Sequence, residues 1–88
     1  MAKITALGNV TNGVKLVWSK PAGAKNFRVF RKTEGGQWEA IADVQGTNYI
    51  DKTAKKGVKY WYTVRAITMD GKMYINSYNS YGWSVTRK

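Results

Sequence analysis

Two absences set the chemistry open to this chain: its 88 residues contain no histidine and no cysteine. The commonest proton shuttle at neutral pH and the best thiol nucleophile are both missing. Ser19, Ser77 and Ser84 therefore have no histidine to activate them. A lysine serves as a base only when desolvated, and the lysines here are scattered over strands and turns like a solvated surface. Five carboxylates remain, on Glu34, Glu39, Asp43, Asp51 and Asp70. A carboxylate pair can cleave glycosides, but these five fall in separate turns and outer strand positions, and a small domain offers no deep cleft between them. No catalytic residue is expected. Zinc wants Cys, His or clustered carboxylates, and calcium wants several oxygens from nearby loops. Asp43 and Asp51, facing each other across a hairpin, are the nearest approach to such a set. The expectation is no metal and no cofactor.

What remains is binding, and charge bears on it. Lys and Arg outnumber Asp and Glu by 15 to 5, for a net charge of +10. Such a surface attracts polyanions: nucleic acid, anionic cell-wall polymers, acidic lipid heads. It also serves plain solubility. Arg28-Val29-Phe30-Arg31-Lys32 interleaves charge with an aromatic, as nucleic-acid surfaces do. There is no RNA-recognition glycine-aromatic signature and no helix for a DNA groove, so nucleic acid is not the expected partner. Tyr74-Ile75-Asn76-Ser77-Tyr78-Asn79-Ser80-Tyr81-Gly82-Trp83 has the composition of recognition loops, with rigid amphipathic rings beside adaptable hydrogen bonders.

The elements that must position these residues are short strands. Val14, Leu16 and Trp18 alternate onto one face of a strand that follows the hairpin signal Asn12-Gly13. Ile4 to Val10 is a weak first strand before it. Phe27 and Val29 share one side of a third strand, with Arg28, Phe30 and Lys32 on the other. Glu34-Gly35-Gly36 turns the chain into Trp38 to Val44, and Thr47 to Ile50 is short. After Gly57, Tyr60, Tyr62, Val64 and Ala66 take one face of a strand, and Trp61, Thr63, Arg65 and Ile67 the other. Asp70-Gly71 is a second hairpin signal before a last segment from Met73 to Thr86, interrupted near Asn79 to Gly82. Seven strands with turns every 8–12 residues or so predict an all-β antiparallel sandwich. With no linker, repeat or low-complexity tail, residues 1–88 read as one domain. Four tryptophans offer the large apolar area that so small a core needs. No apolar run approaches the roughly 20 residues that span a membrane, so membrane insertion is not expected. Met1-Ala2-Lys3 runs straight into a strand pattern with no visible signal peptide. If the parent protein is secreted, the chain is expected to be an excised module.

These segments together resemble the fibronectin type III family over essentially the whole chain. Leu16-Val17-Trp18 is similar to its second strand, with Trp18 in the core. Phe27-Arg28-Val29-Phe30-Arg31-Lys32 resembles its third, and Trp38-Glu39-Ala40-Ile41-Ala42 the next. Gly46-Thr47-Asn48-Tyr49-Ile50-Asp51 resembles a segment common in bacterial members. Gly57 through Ala66 is similar to the family's Gly-x-x-Tyr-x-Tyr-x-Val-x-Ala corner and strand, in which Tyr60 would form a tyrosine corner. Its hydroxyl is expected to bond the backbone within Thr53 to Lys56. Ser77-Tyr78-Asn79-Ser80 through Thr86 resembles the last strand of bacterial members found beside glycan-active enzymes and in cell-surface proteins. Immunoglobulin domains proper carry cysteines on the second and sixth strands; here Trp18 and Tyr62 mark those strands instead. No Arg-Gly-Asp tripeptide occurs, so the integrin-binding use is not implied.

The resemblance implies a seven-stranded immunoglobulin-like sandwich of fibronectin type III topology. It implies a non-catalytic module of a larger bacterial extracellular or cell-surface protein, acting as a spacer and adhesion module among neighbouring domains and expected as a monomer. The alternative is a module that binds a glycan, an anionic cell-wall polymer or a protein. Pairing of the third and sixth strands would bring Phe30 and Trp61 together as an outer shelf flanked by Arg28 and Arg65. The other expected surface is the loop bearing Tyr74, Tyr78 and Tyr81, at one end of the sandwich. Trp18, Tyr60 and Tyr62 are expected to be structural.

Overall fold

The computed structural model of the chain describes residues 3–19, 24–68 and 82–88. It contains seven strands: β1 (Lys3–Val10), β2 (Gly13–Ser19), β3 (Asn26–Thr33), β4 (Glu39–Gln45), β5 (Asn48–Asp51), β6 (Lys59–Ile67) and β7 (Trp83–Thr86). They form a three-stranded sheet in the order β1-β2-β5 and a four-stranded sheet in the order β4-β3-β6-β7. All pairings are antiparallel. The expected hairpin at Asp70-Gly71 lies outside the described residues, as do Tyr74, Tyr78 and Tyr81.

The two sheets close over the alternating residues. Val14, Leu16, Phe27, Val29 and Tyr62 are wholly enclosed, and Trp18, Tyr60, Val64 and Ala66 nearly so. Each of the larger aliphatic and phenyl side chains among them contributes roughly 1.5–3 kcal/mol by leaving water. Trp18 of one sheet meets Phe27 of the other with ring centroids 5.7 Å apart and planes tilted by 59°, a favoured aromatic geometry. The weak look of β1 has a local cause. A register shift between Ile4 and Ala6 breaks its alternation, so that Ile4 and Leu7, an odd number of residues apart, both reach the core. A second shift, between Val29 and Phe30 in the β3–β4 pairing, lets Ile41 as well as Val44 pack inward.

Two expectations need correction. Thr63 and Ile67 alternate onto the outer face of β6, yet they are 2% and 3% exposed. That face is therefore covered along part of its length. Asp51 is not an outer or turn carboxylate: it is wholly enclosed. In the β2–β5 register it pairs with Val14, two residues from the Leu16–Tyr49 pair, so the pleat turns its side chain into the core.

The outermost described residues, Lys3 and Lys88, leave the sandwich at different poles. Lys3 pairs with Ser19 at one end of β1, and Val10 pairs with Gly13 at the other. The C-terminal segment is fastened to that second end. Asn9 Nδ2 donates to the Thr86 carbonyl at 2.8 Å, and the Lys88 N–H donates to Asn9 Oδ1 at 2.9 Å. Lys3 and Lys88 therefore lie at opposite poles, roughly 20 Å apart along β1 at about 3.3 Å per residue.

Candidate functional site

The outer face of the four-stranded sheet gathers the aromatic and basic residues. Across β3 and β6, Arg28 pairs with Arg65, Phe30 with Thr63 and Lys32 with Trp61. Phe30 and Trp61 thus share a face, but one register step separates them and each is half-buried. Among the described residues, the nearest cation to the indole of Trp61 comes from its own strand. Lys59 Nζ lies 5.1 Å from the ring centroid, and Lys32 Nζ lies 6.0 Å from it. Lys32 Nζ is also 5.2 Å from the ring of Trp38. These separations fall within the range of cation–π attraction.

Trp38 is the residue that sequence reasoning missed as part of this surface. The strand pattern has it opening the fourth strand. It precedes β4 instead and lays its ring across the outer face as far as Gly82. A Cβ at Gly82 would stand 2.5 Å from Cη2 of Trp38 and 2.7 Å from the Tyr62 carbonyl oxygen, and Gly82 has φ +72°. Only glycine suits that backbone and leaves room for the ring. The available signal was the glycine pair Gly35-Gly36 just upstream, which frees Trp38 from the strand direction.

Further along the same face, Arg28 and Asp43 form a two-pronged ion pair, Nε to Oδ1 at 2.8 Å and Nη2 to Oδ2 at 3.0 Å. The Arg28 guanidinium holds the Asp43 carboxyl below the usual carboxylate range. Asp43 is thereby committed to the four-stranded sheet, and Asp51 to the interior facing the other sheet. The pair considered for calcium does not form. Among the described residues no group of three Asp or Glu side chains could hold a metal ion. Trp83, on the edge strand β7, is 45% exposed. No helix of the described residues is long and apolar enough to cross a membrane.

Asp51, like Asp43, is engaged as structure. Asp51 accepts from the Tyr62 hydroxyl at 2.6 Å, Arg31 Nη1 at 2.9 Å, the Thr53 hydroxyl at 2.7 Å and the Thr53 N–H at 3.0 Å. Burial by itself raises the carboxyl's pKa. The hydrogen bonds from Thr53, Tyr62 and Arg31 outweigh it, and the carboxyl sits below its ordinary value. Burial, and then the bond to Asp51, push the Tyr62 phenol far above its ordinary value. Such a saturated carboxylate has no lone pair directed at a substrate. At the corner before β6, the Lys55 N–H donates to the Tyr60 hydroxyl at 2.8 Å. The tyrosine is the acceptor in this bond, and the backbone amide is the group it satisfies.

The fold defines an immunoglobulin-like β-sandwich of a three-stranded and a four-stranded sheet. An Fn3-like protein from Clostridium thermocellum superposes with a TM-score of 0.62 at 32% identity, over 75% of this chain and 75% of that one. The chain belongs to the fibronectin type III-like family. No protein-family model matches it. A 56-residue stretch is 39% identical to an amylopullulanase of Thermoanaerobacterium saccharolyticum. That match takes in 61% of this chain and only 4% of the relative's length. Pectate lyase PelI of Erwinia chrysanthemi, solved with tetragalacturonic acid, shares the fold with a TM-score of 0.68 at 19% identity. The likeness covers 89% of this chain and 27% of the lyase. The chain is thus similar to small segments of larger carbohydrate-active enzymes.

Proposed function

We propose that residues 1–88 form one non-catalytic accessory module of a larger, secreted or surface-bound, glycan-active bacterial protein, and that the module works as a rigid spacer. The observation that carries this is the placing and fastening of its ends. Lys3 and Lys88 lie at opposite poles, and the residue before the last is clamped. The Arg87 N–H donates to the Val58 carbonyl at 3.0 Å, and its own carbonyl accepts from the Gly57 N–H at 2.7 Å. Its guanidinium reaches Asn9 Oδ1 and the Val10 and Thr11 carbonyls at 3.3–3.4 Å. A clamped exit strand transmits the module's orientation to a domain joined beyond it. A frayed end would only tether.

The relatives support the setting, since the similar segments are small parts of long enzymes. The absence of histidine and cysteine and the saturation of Asp51 support a non-catalytic role. Small-angle scattering of the chain placed between two folded reporter domains tests the reading. The expected result is an elongated particle described by one conformation. A profile that requires a broad ensemble, like that of a Gly/Ser linker, would overturn it.

A further inference from the structure

We propose that the outer face of the four-stranded sheet, along the row Lys59, Trp61, Lys32 and Trp38, binds a carboxylated polysaccharide, a polymer of uronic acids. This deepens the accessory-module reading, and the choice of a glycan over a nucleic acid rests on that reading.

The row alternates cation and ring. Lys59 Nζ stands 5.1 Å from the Trp61 ring centroid, Lys32 Nζ stands 6.0 Å from the same ring, and the same ammonium is 5.2 Å from Trp38. The rings are placed before any ligand arrives: Trp61 rides on the central strand β6, and Trp38 is seated against Gly82. Preorganised rings lose little freedom on binding. The ion pairs among the described residues are Arg28–Asp43 and Arg31–Asp51. The ammoniums of Lys32 and Lys59 belong to neither.

The lysine caps decide which glycan fits. A sugar that lies on Trp61 displaces an ammonium from the ring. A neutral sugar forfeits that cation–π contact and returns to the lysine only uncharged hydroxyl acceptors. A sugar bearing a carboxylate gives the displaced ammonium a charge-assisted partner while its ring face takes the indole. The caps therefore discriminate against neutral glycans as well as favouring acidic ones. The net charge of +10 adds long-range attraction of the same sign.

The test titrates the 88-residue chain with polygalacturonate, amylose and single-stranded poly-dT at 50 and 200 mM salt, following calorimetric heat and the indole N–H resonances. Polygalacturonate is expected to bind at both salt concentrations and to shift Trp38 and Trp61 but not the enclosed Trp18. Trp61→Ala and Lys32→Met should each lower that affinity at least tenfold. Lys15→Gln, on the other sheet, should change it less than twofold. Melting midpoints report whether each variant folds, and Lys32→Met, which keeps the side-chain stem, serves if Trp61→Ala does not. Equal affinity for poly-dT or for amylose, no binding of polygalacturonate, or equal losses in Lys15→Gln and Lys32→Met would each overturn the proposal. All of these outcomes leave the spacer reading standing, because the scattering measurement is independent of any glycan.

Discussion

The phenolic O–H of Tyr62 donates to the carboxylate of Asp51 across 2.6 Å, inside the core and between the two sheets. Tyr62 belongs to β6 of the four-stranded sheet and Asp51 to β5 of the three-stranded one. Arg31 of β3 adds a second link from the same sheet. A cysteine-free sandwich is thus bridged from sheet to sheet by a charge-assisted polar cluster. A charge so placed is tolerated only because its acceptor sites are filled.

Tyr62→Phe removes one of those donors and leaves the packing volume nearly unchanged. The expected cost is about 1.5–3 kcal/mol, the range for a hydrogen bond to a charged group. Asp51→Ala should cost more, about 3–5 kcal/mol, because it takes the shared acceptor from the Tyr62 hydroxyl, the Thr53 hydroxyl and N–H, and the partly buried Arg31 guanidinium at once. Urea midpoints of the two variants measure both. A Tyr62→Phe variant as stable as the parent chain would contradict the bridge.

Acid should weaken the same bridge. The folded Asp51 carboxyl titrates below its ordinary value, so its contribution is fully present above the unfolded value of about 3.9 and is lost as pH falls through the folded one. Asp43 shifts the same way through Arg28, but half of its side chain is exposed and the contribution is smaller. Denaturation midpoints between pH 6 and pH 2 should therefore fall steeply in the parent chain. They should fall much less in Asp51→Asn, and an equal slope in both would assign the acid sensitivity elsewhere.

At the corner, Tyr60→Phe leaves the Lys55 amide without the acceptor it finds at 2.8 Å. The expected loss is about 1–3 kcal/mol, with faster hydrogen exchange at the Lys55 amide in particular. An unchanged melting midpoint and unchanged exchange would remove the corner's structural role.

Gly82→Ala probes the cover over the outer face. The backbone at φ +72° disfavours any side chain, and the new methyl would press on Trp38. A destabilisation of about 1–2 kcal/mol from the backbone alone is expected, with displacement of the Trp38 indole resonance. An unmoved resonance would mean that Trp38 does not rest there.

Much of the fold was legible because alternation is a strong signal where one face is buried. Val14, Leu16 and Trp18, Phe27 and Val29, and Tyr60 through Ala66 by twos all point inward as their spacing implies. The polar cluster was not legible, although its parity was visible. Arg31 continues the inward series of Phe27 and Val29, and Asp51 continues that of Tyr49. A charged residue at a strand end reads as a solvated turn, and only its partners in other strands show otherwise. The outer-face aromatics were half legible. Phe30 and Trp61 follow from strand parity, whereas Trp38 lies in irregular chain whose direction no period encodes.

The most direct test of the spacer is a distance distribution across it. Because the chain lacks cysteine, single spin-labelled cysteines can be introduced in folded reporter domains fused at either end without background. Pulsed dipolar spectroscopy should give one narrow distance peak, and Arg87→Ala, which removes the guanidinium clamp on Asn9, Val10 and Thr11, should broaden it. A broad distribution in the parent chain, no narrower than that of the variant, would contradict the account.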